Sequence, residues 1–576
     1  MKKTLSVLLI VMMLFSVVAP SASAIVNYEK VPMVYIRGNG EIIVGADGKT
    51  PASTGFETVG NGTTGGEGIS KDVIIETCVN ILIPFLTEGL IWDKWDTYGD
   101  KIYEELSPLF EEGMLDGDGN PQYGTQVNPE ALAWSEYSAT IDRGGDGWFD
   151  FYDYPFCYDW RLDPYDHVDR LHEYVEAVMK RTGSKKICLT ARCFGGSLLM
   201  AYLEKYGSEG HIKNVVFSDV LANGCPTVSG AFSGNIDFDS DNLERYLVQL
   251  EQCAELDVGQ GIALAEIVSE IVSKSMDFFN QIGALDSFVG GVEDLYARLY
   301  KALMPAVCRA TGMATQANYW TCVYEEDFDQ AMEIIYGKPG DELYEEYSGL
   351  IAKINNYRER VIKKLPGNVS EGEKDLFDIF KEDYGINIAV IAKYGYLSAP
   401  IVSDPHAPSD ALANLEDATF GATCAPVTKT LSDEYIAERI KLGFGEYISP
   451  DKQVDISTAK CPDTTWIIKN SHHDYSRHCE TIAMDFCRST NLTSDSPNSV
   501  VPRFIVYDEK ADTWEKMTED NSPDYEWLNK PVTEPTTESI FVSAMRWFTL
   551  VFKVISMLLK GELKFDEIGD LFEFKG

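Results

Sequence analysis

The sequence predicts an α/β fold: a mostly parallel sheet flanked by helices, interrupted by a large helical insertion. Three observations carry this expectation. Short apolar strands alternate with helix-spaced segments between residues 158 and 217. A strand at 186–190 runs into a tight turn and then a helix. Strand signals then give way to helical ones from about 225 to 440. Alternation at this spacing favours right-handed βαβ units, whose strands are parallel and covered on both faces.

Residues 1–24 follow a targeting logic. Lys2 and Lys3 precede an apolar run over 5–18, and Ala22-Ser23-Ala24 has the small-x-small pattern of a cleavage site. This reads as a secretory signal of bacterial style, so the chain is expected to be secreted or held at the cell surface. Residues 25–224 are read as the first part of the core. Within them, 31–37 is a buried strand stopping at Gly38-Asn39-Gly40, and 54–70 is a Gly/Thr-rich loop. Residues 71–90 and 99–112 have helical spacing. Asp116-Gly117-Asp118-Gly119-Asn120 starts like a calcium loop, but Pro121 stands where that loop needs Gly and Val127 where it needs Glu. A plain turn is expected there. Val168, Leu171, Val175 and Val178 mark a helix, a second helix runs over 196–206, and Val215-Val216-Phe217 begins a strand.

Residues 225–440 are read as a helical cap, with helical patterns at 243–256, 262–279, 292–303, 328–336 and 352–364. The core is expected to resume over 441–500, followed by a β-hairpin extension at 501–530 and a linker with a C-terminal amphipathic helix at 531–576.

The 576 residues are 45% hydrophobic and 24% charged, which suits a packed globular chain. With 91 acidic against 49 basic residues the net charge is −42, which excludes nucleic acid as a partner because phosphate neutralisation needs clustered Lys and Arg. None of the twelve cysteines forms a C-x-x-C pair. No structural metal and no cofactor are expected on that ground.

The chemistry is expected at Ala191-Arg192-Cys193-Phe194-Gly195-Gly196. A nucleophile at a strand-to-helix elbow needs small residues two before and two after it, here Ala191 and Gly195. The helix start behind Cys193 favours a thiolate. The N–H of Phe194 and a donor near Asn39 would form the oxyanion hole. The plain alternative is a small buried cysteine. The order nucleophile, acid, histidine directs the search for a base to the late cluster His472, His473 and His478, after the strand-like 464–468. The acid is sought in the preceding loop, where Asp451 and Asp455 are both available.

Tyr158-Asp159-Trp160-Arg161-Leu162, the elbow some thirty residues later, and an Asp-x-x-Val followed by a late His resemble the lecithin:cholesterol acyltransferase-like group of α/β-hydrolases. The resemblance covers roughly residues 31–225 and 440–490. It implies an α/β-hydrolase fold, with residues 32–40 as strand and oxyanion loop and Cys193 in place of the usual Ser. Asp451 in Pro-Asp-Lys-Gln-Val matches the acid. His472 in His-His-Asp-Tyr matches the base, and His473 fits that pattern less well. Pro450 and Lys452 replace the glycines flanking the acid, which leaves Asp455 open as the orienter.

The function so implied is cleavage or transfer of acyl groups of lipid-like esters or thioesters through a Cys193–His472–Asp451 triad and an acyl-enzyme. The alternative is a catalytically inactive binding or scaffold protein on the same fold. The apolar run 540–559 carries Arg546 and Lys553, with Lys560 at its end, on one helical stripe. Residues 539–560 are therefore read as an interfacial helix that would meet a membrane surface, beside the plainer reading of a terminal helix packed on protein.

Overall fold

Alternate residues of the inner strands point to opposite faces of one sheet, and each face is covered. The computed structural model describes residues 30–38, 43–52, 94–140, 154–235, 302–398, 404, 406–474, 477–496, 499–508 and 510–529, with isolated positions between 77 and 89 and at 249. The eight strands of the sheet are β1 Met33–Ile36, β2 Tyr154–Phe156, β3 Ile187–Cys193, β4 Ile212–Val220, β5 Asn387–Tyr394, β6 Thr465–Lys469, β7 Phe504–Asp508 and β8 Thr513–Lys516. Their order is β8-β7-β6-β5-β4-β3-β1-β2. All neighbours are parallel except the β7–β8 hairpin.

On one face Leu189 and Ala191 of β3, Phe217 of β4 and Val390 of β5 share a core with α1 (Tyr165–Thr182) and α2 (Gly195–Tyr206). The apolar spacing of α1 buries Val168, Leu171, Val175 and Val178, as the sequence predicts. Gly183 ends α1 at φ +69, a left-handed cap that suits glycine. On the other face Cys188, Val216, Ile391 and Ile468 pack against Cys479, Ile482, Ala483 and Phe486. Those four lie on α3 (Arg477–Arg488) with the three- and four-residue spacing of one helical face. A sheet covered on both sides explains why β3 and β5 read as continuous apolar runs rather than alternating ones.

One expectation is corrected. The stretch read as a cap, 225–440, contains the central strand β5, so the core resumes at Asn387 rather than at 441. The hairpin expected within 501–530 forms from β7 and β8, and β7 also pairs in parallel with β6, so it extends the sheet. The turn after Asp116 does behave as a plain turn, its carboxylate accepting from the N–H groups of Asp118 and Asn120. The helices expected over 328–336 and 352–364 correspond to Glu325–Tyr336 and Ser348–Arg360.

Residues 1–24, Asn39, most of 243–303 and 531–576 lie outside the described residues, and with them the signal segment and the interfacial helix expected from the sequence. Among the described residues no helix is long and apolar enough to cross a membrane.

Candidate active site

β3 delivers Cys193 at its C-terminal end with φ +52, a left-handed conformation that a non-glycine residue holds only under constraint. The constraint comes from both sides of the turn. A Cβ on Gly195 would stand 2.5 Å from the Ile36 carbonyl oxygen, and one on Gly196 2.6 Å from the Val220 Cβ. Ala191 is fully buried between Ile36 of β1 and Phe217 of β4. The small residues expected around the elbow are therefore required by the packing of β1, β4 and the start of α2. Cys193 itself is 7% exposed.

The loop leaving β1 reaches the elbow through Gly38, where an added Cβ would come within 2.6 Å of the Cys193 Cβ and 3.2 Å of its Sγ. Phe194 caps the start of α2, so its N–H has no acceptor within the helix. Its ring stacks on Trp160 at 6.1 Å and meets Tyr319 edge-on at 5.0 Å, forming an aromatic wall beside the thiol.

The Tyr-Asp-Trp-Arg segment supports this wall. Tyr158 donates its hydroxyl proton to the Arg37 carbonyl at 2.9 Å, tying down the end of β1. The Arg161 guanidinium, with no exposed surface, grips the Asp159 carboxylate through Nε at 2.9 Å and Nη2 at 2.7 Å. A fork of this kind satisfies a buried charge with two directed hydrogen bonds. Trp160 is left facing Phe194.

The histidine beside Cys193 is His473. Its Nδ1 lies 2.7 Å from Asp410 Oδ2, and its backbone N–H donates to the Asp410 carbonyl at 2.9 Å. Its Nε2 is buried without a hydrogen-bond partner of regular geometry. With Nδ1 engaged by Asp410, the Cys193 thiol is the other neighbour that acts on the ring and favours its charged form. Catalytic hydrogen bonds without substrate are often long or bent in this way. Burial opposes charging the His473 imidazole, but the Asp410 carboxylate and the Cys193 thiol outweigh it and raise its pKa. Asp410 moves the other way: burial works against its charge, and the His473 and Lys393 cations hold its pKa below the usual carboxylate range.

Asp410 follows β5 and is fixed by its own turn. Its Oδ1 accepts from the N–H of Leu412 at 3.0 Å and of Ala413 at 2.7 Å. The His473 carbonyl accepts from Lys393 Nζ at 3.2 Å and from the Arg192 guanidinium. Lys393 is in turn paired with Asp219 at 3.0 Å, both side chains fully buried. The ends of β3, β4 and β5 thus supply the groups that hold the histidine loop.

Of the residues expected from sequence, Cys193 and Phe194 stand at the elbow, and Asn39 lies outside the described residues. His472 and Asp451 are not brought together. His472 turns to Asp474, with Nδ1 3.6 Å from Oδ2, and to the Tyr396 ring, and burial lowers its pKa to about 4. Asp451 accepts from Lys469 Nζ at 2.8 Å and from the Tyr394 hydroxyl at 2.5 Å, so it is the counter-ion of a fully buried lysine on β6. Asp455 is taken by Arg439 at 2.8 Å and by Tyr435 at 2.9 Å. The side chains gathered at the elbow are Cys193, His473 and Asp410.

Among the described residues one group of three metal-ligating side chains comes together, His172, Glu209 and His211, away from this site. Compared with protein-family models, curated proteins and solved structures, the chain has no match.

Proposed function

We propose that the chain is an α/β-hydrolase that cleaves or transfers acyl groups of esters or thioesters, with Cys193 as nucleophile, His473 as base and Asp410 as its orienter. One observation carries the reading: the imidazole held at 2.7 Å by Asp410 presents its other nitrogen toward a cysteine at a positive-φ elbow. Strand order supports the fold assignment. β3 ends at the nucleophile, and the acid and the histidine follow β5 and β6 in turn, the chain order of this fold.

In the proposed reaction His473 takes the proton of the Cys193 thiol, the sulfur attacks the acyl carbon, and the carbonyl π electrons move onto oxygen. The N–H of Phe194 and a donor in the loop after Gly38, the region of Asn39, stabilise that oxyanion. Collapse expels the alcohol or thiol, which takes a proton from His473, and leaves a thioester on Cys193. His473 then deprotonates water or an acceptor alcohol, whose oxygen attacks the thioester and releases the thiolate. The aromatic wall of Trp160, Phe194 and Tyr319 suits an apolar acyl chain. Export by residues 1–24, a bacterial cell-surface location and membrane contact by 539–560 belong to the same proposal.

The test is alkylation of the folded protein by iodoacetamide from pH 5 to 9, with peptide mapping. Burial raises the thiols of Cys225, Cys308 and Cys479 to about 12 and that of Cys461 to about 11, so these stay unreactive across the range. Labelling concentrated at Cys193 and slowed tenfold or more by His473→Asn supports the triad. Labelling of Cys193 at the same slow rate in both proteins leaves a binding or scaffold protein with a structural cysteine.

A further inference from the structure

We propose a binding site for a zinc-like divalent cation formed by His172, Glu209 and His211, at the end of strands β3 and β4 opposite the thiol. His172 lies on α1, Glu209 in the turn Gly207–Glu209 after α2, and His211 immediately before β4. The His211 carbonyl accepts from the N–H of Ile187, the first residue of β3. The length of β3, about 20 Å, therefore separates the group from Cys193, and the cation takes no part in acyl transfer.

Distance argues for a shared cation. His211 Nδ1 lies 3.4 Å and His172 Nε2 3.7 Å from the same oxygen, Glu209 Oε2. The ligand atoms of all three residues fall within 4.8 Å of one another. The longer of the two separations is beyond a hydrogen bond. Around a tetrahedral zinc with bonds of about 2.0–2.1 Å, however, two ligand atoms lie about 3.3–3.4 Å apart, which the two separations from Glu209 Oε2 approach to within a few tenths of an ångström. Two imidazole nitrogens and a carboxylate oxygen form a donor set suited to zinc, with a fourth position open to water. Glu176, one turn along α1 with Oε1 3.7 Å from His172 Nε2, flanks that opening.

The outward aim of both rings is built in. Tyr202 of α2 places its hydroxyl 2.9 Å from His211 Nε2 and 3.3 Å from His172 Nδ1, engaging the nitrogen of each ring that does not face Glu209. The His172 ring also stacks on Tyr206 at 3.9 Å. In the tautomers whose inner N–H groups donate to the Tyr202 oxygen, His172 Nε2 and His211 Nδ1 present lone pairs to the cation. Such outer-shell hydrogen bonds are what orient ligating histidines. A bound cation would clamp α1 to the α2–β4 connection.

The test uses the full chain carrying Cys193→Ser, so that the proposed nucleophilic thiol cannot compete, stripped with a chelator and titrated with ZnCl2 in a calorimeter. The expected result is one saturable site that weakens at least tenfold in Glu209→Gln and in His172→Gln. Glu209 is 46% exposed at its side chain, so its replacement leaves the fold intact. Zn2+ should also raise the thermal unfolding midpoint of the parent and not of Glu209→Gln. Absence of one-site uptake by the parent, or parental affinity in both variants, overturns the proposal.

Discussion

Gly38 lies against Cys193 so closely that a Cβ added to it would stand 2.6 Å from the Cys193 Cβ, 3.2 Å from the sulfur and 3.2 Å from the Arg192 carbonyl. Both neighbours are rigid, one a strained elbow and the other a buried strand end, so the β1 loop must retreat. Gly38→Ala should leave the far-ultraviolet circular dichroism unchanged and lower kcat/KM for an acyl ester by about tenfold to a hundredfold, because a misplaced oxyanion loop loses transition-state contacts. Unchanged kcat/KM would mean that this loop stabilises no oxyanion.

Two aspartates can be separated by their readouts. Asp410 bonds His473 Nδ1 at 2.7 Å, whereas Asp451 bonds Lys469 Nζ at 2.8 Å. Asp410→Asn should cost roughly 10²–10⁴-fold in kcat, since an amide no longer favours the imidazolium or fixes its tautomer. Asp451→Asn should keep kcat within about threefold while costing about 1–3 kcal/mol in urea unfolding, because a buried lysine loses one of two carboxylate partners. The other partner is Asp524 Oδ1 at 2.8 Å. The reverse pattern would restore Asp451 as the orienter.

Why the elbow was legible from sequence while the acid was not follows from the range of the forces involved. Ala191, Gly195 and Gly196 are demanded by the tight turn itself, so their pattern is local. The alternating strand and helix signals around 158–217 are likewise local. Asp410 owes its role to β5, whose run Asn387-Ile388-Ala389-Val390-Ile391-Ala392 is a strand signal set among helical neighbours and closed by a lysine. Adjacent His472 and His473 differ only in which way a loop turns, and that loop is held by Lys393, which donates to both carbonyls, and by Arg192, which donates to that of His473. A signal for Asp451 did exist. Lys469 ends an apolar strand, and a lysine buried there requires a carboxylate.

The buried Lys393–Asp219 pair, 3.0 Å apart, carries a separate prediction. Asp219→Asn keeps a residue that tolerates the φ of +46 at this position but leaves the ammonium without its charge partner. The expected cost is about 3–5 kcal/mol by denaturant titration. Adding Lys393→Met should recover part of that stability. It should not recover the rate of Cys193 alkylation, because the His473 carbonyl has lost a donor. Recovery of both would make the pair purely structural.

Asp163 sets a pH dependence whose sign can be worked out. The side chain is 3% exposed, and burial raises its pKa from 3.8 to about 7, against the pull of the Tyr165 N–H donated to Oδ1 at 2.8 Å. Between these values the folded chain holds a proton that the unfolded chain has released. Stability therefore falls as pH rises through the window and levels off above about 7, by roughly 1.4 kcal/mol per pH unit at most. Asp163→Asn keeps an oxygen to accept from Tyr165 and has no proton to lose. Its unfolding free energy, measured in urea at pH 4 and pH 7.5, should gain roughly 2–4 kcal/mol on the parent across that interval. All other titrating groups contribute equally to both proteins, so a constant difference would mean that Asp163 ionises in the fold as freely as in the unfolded chain.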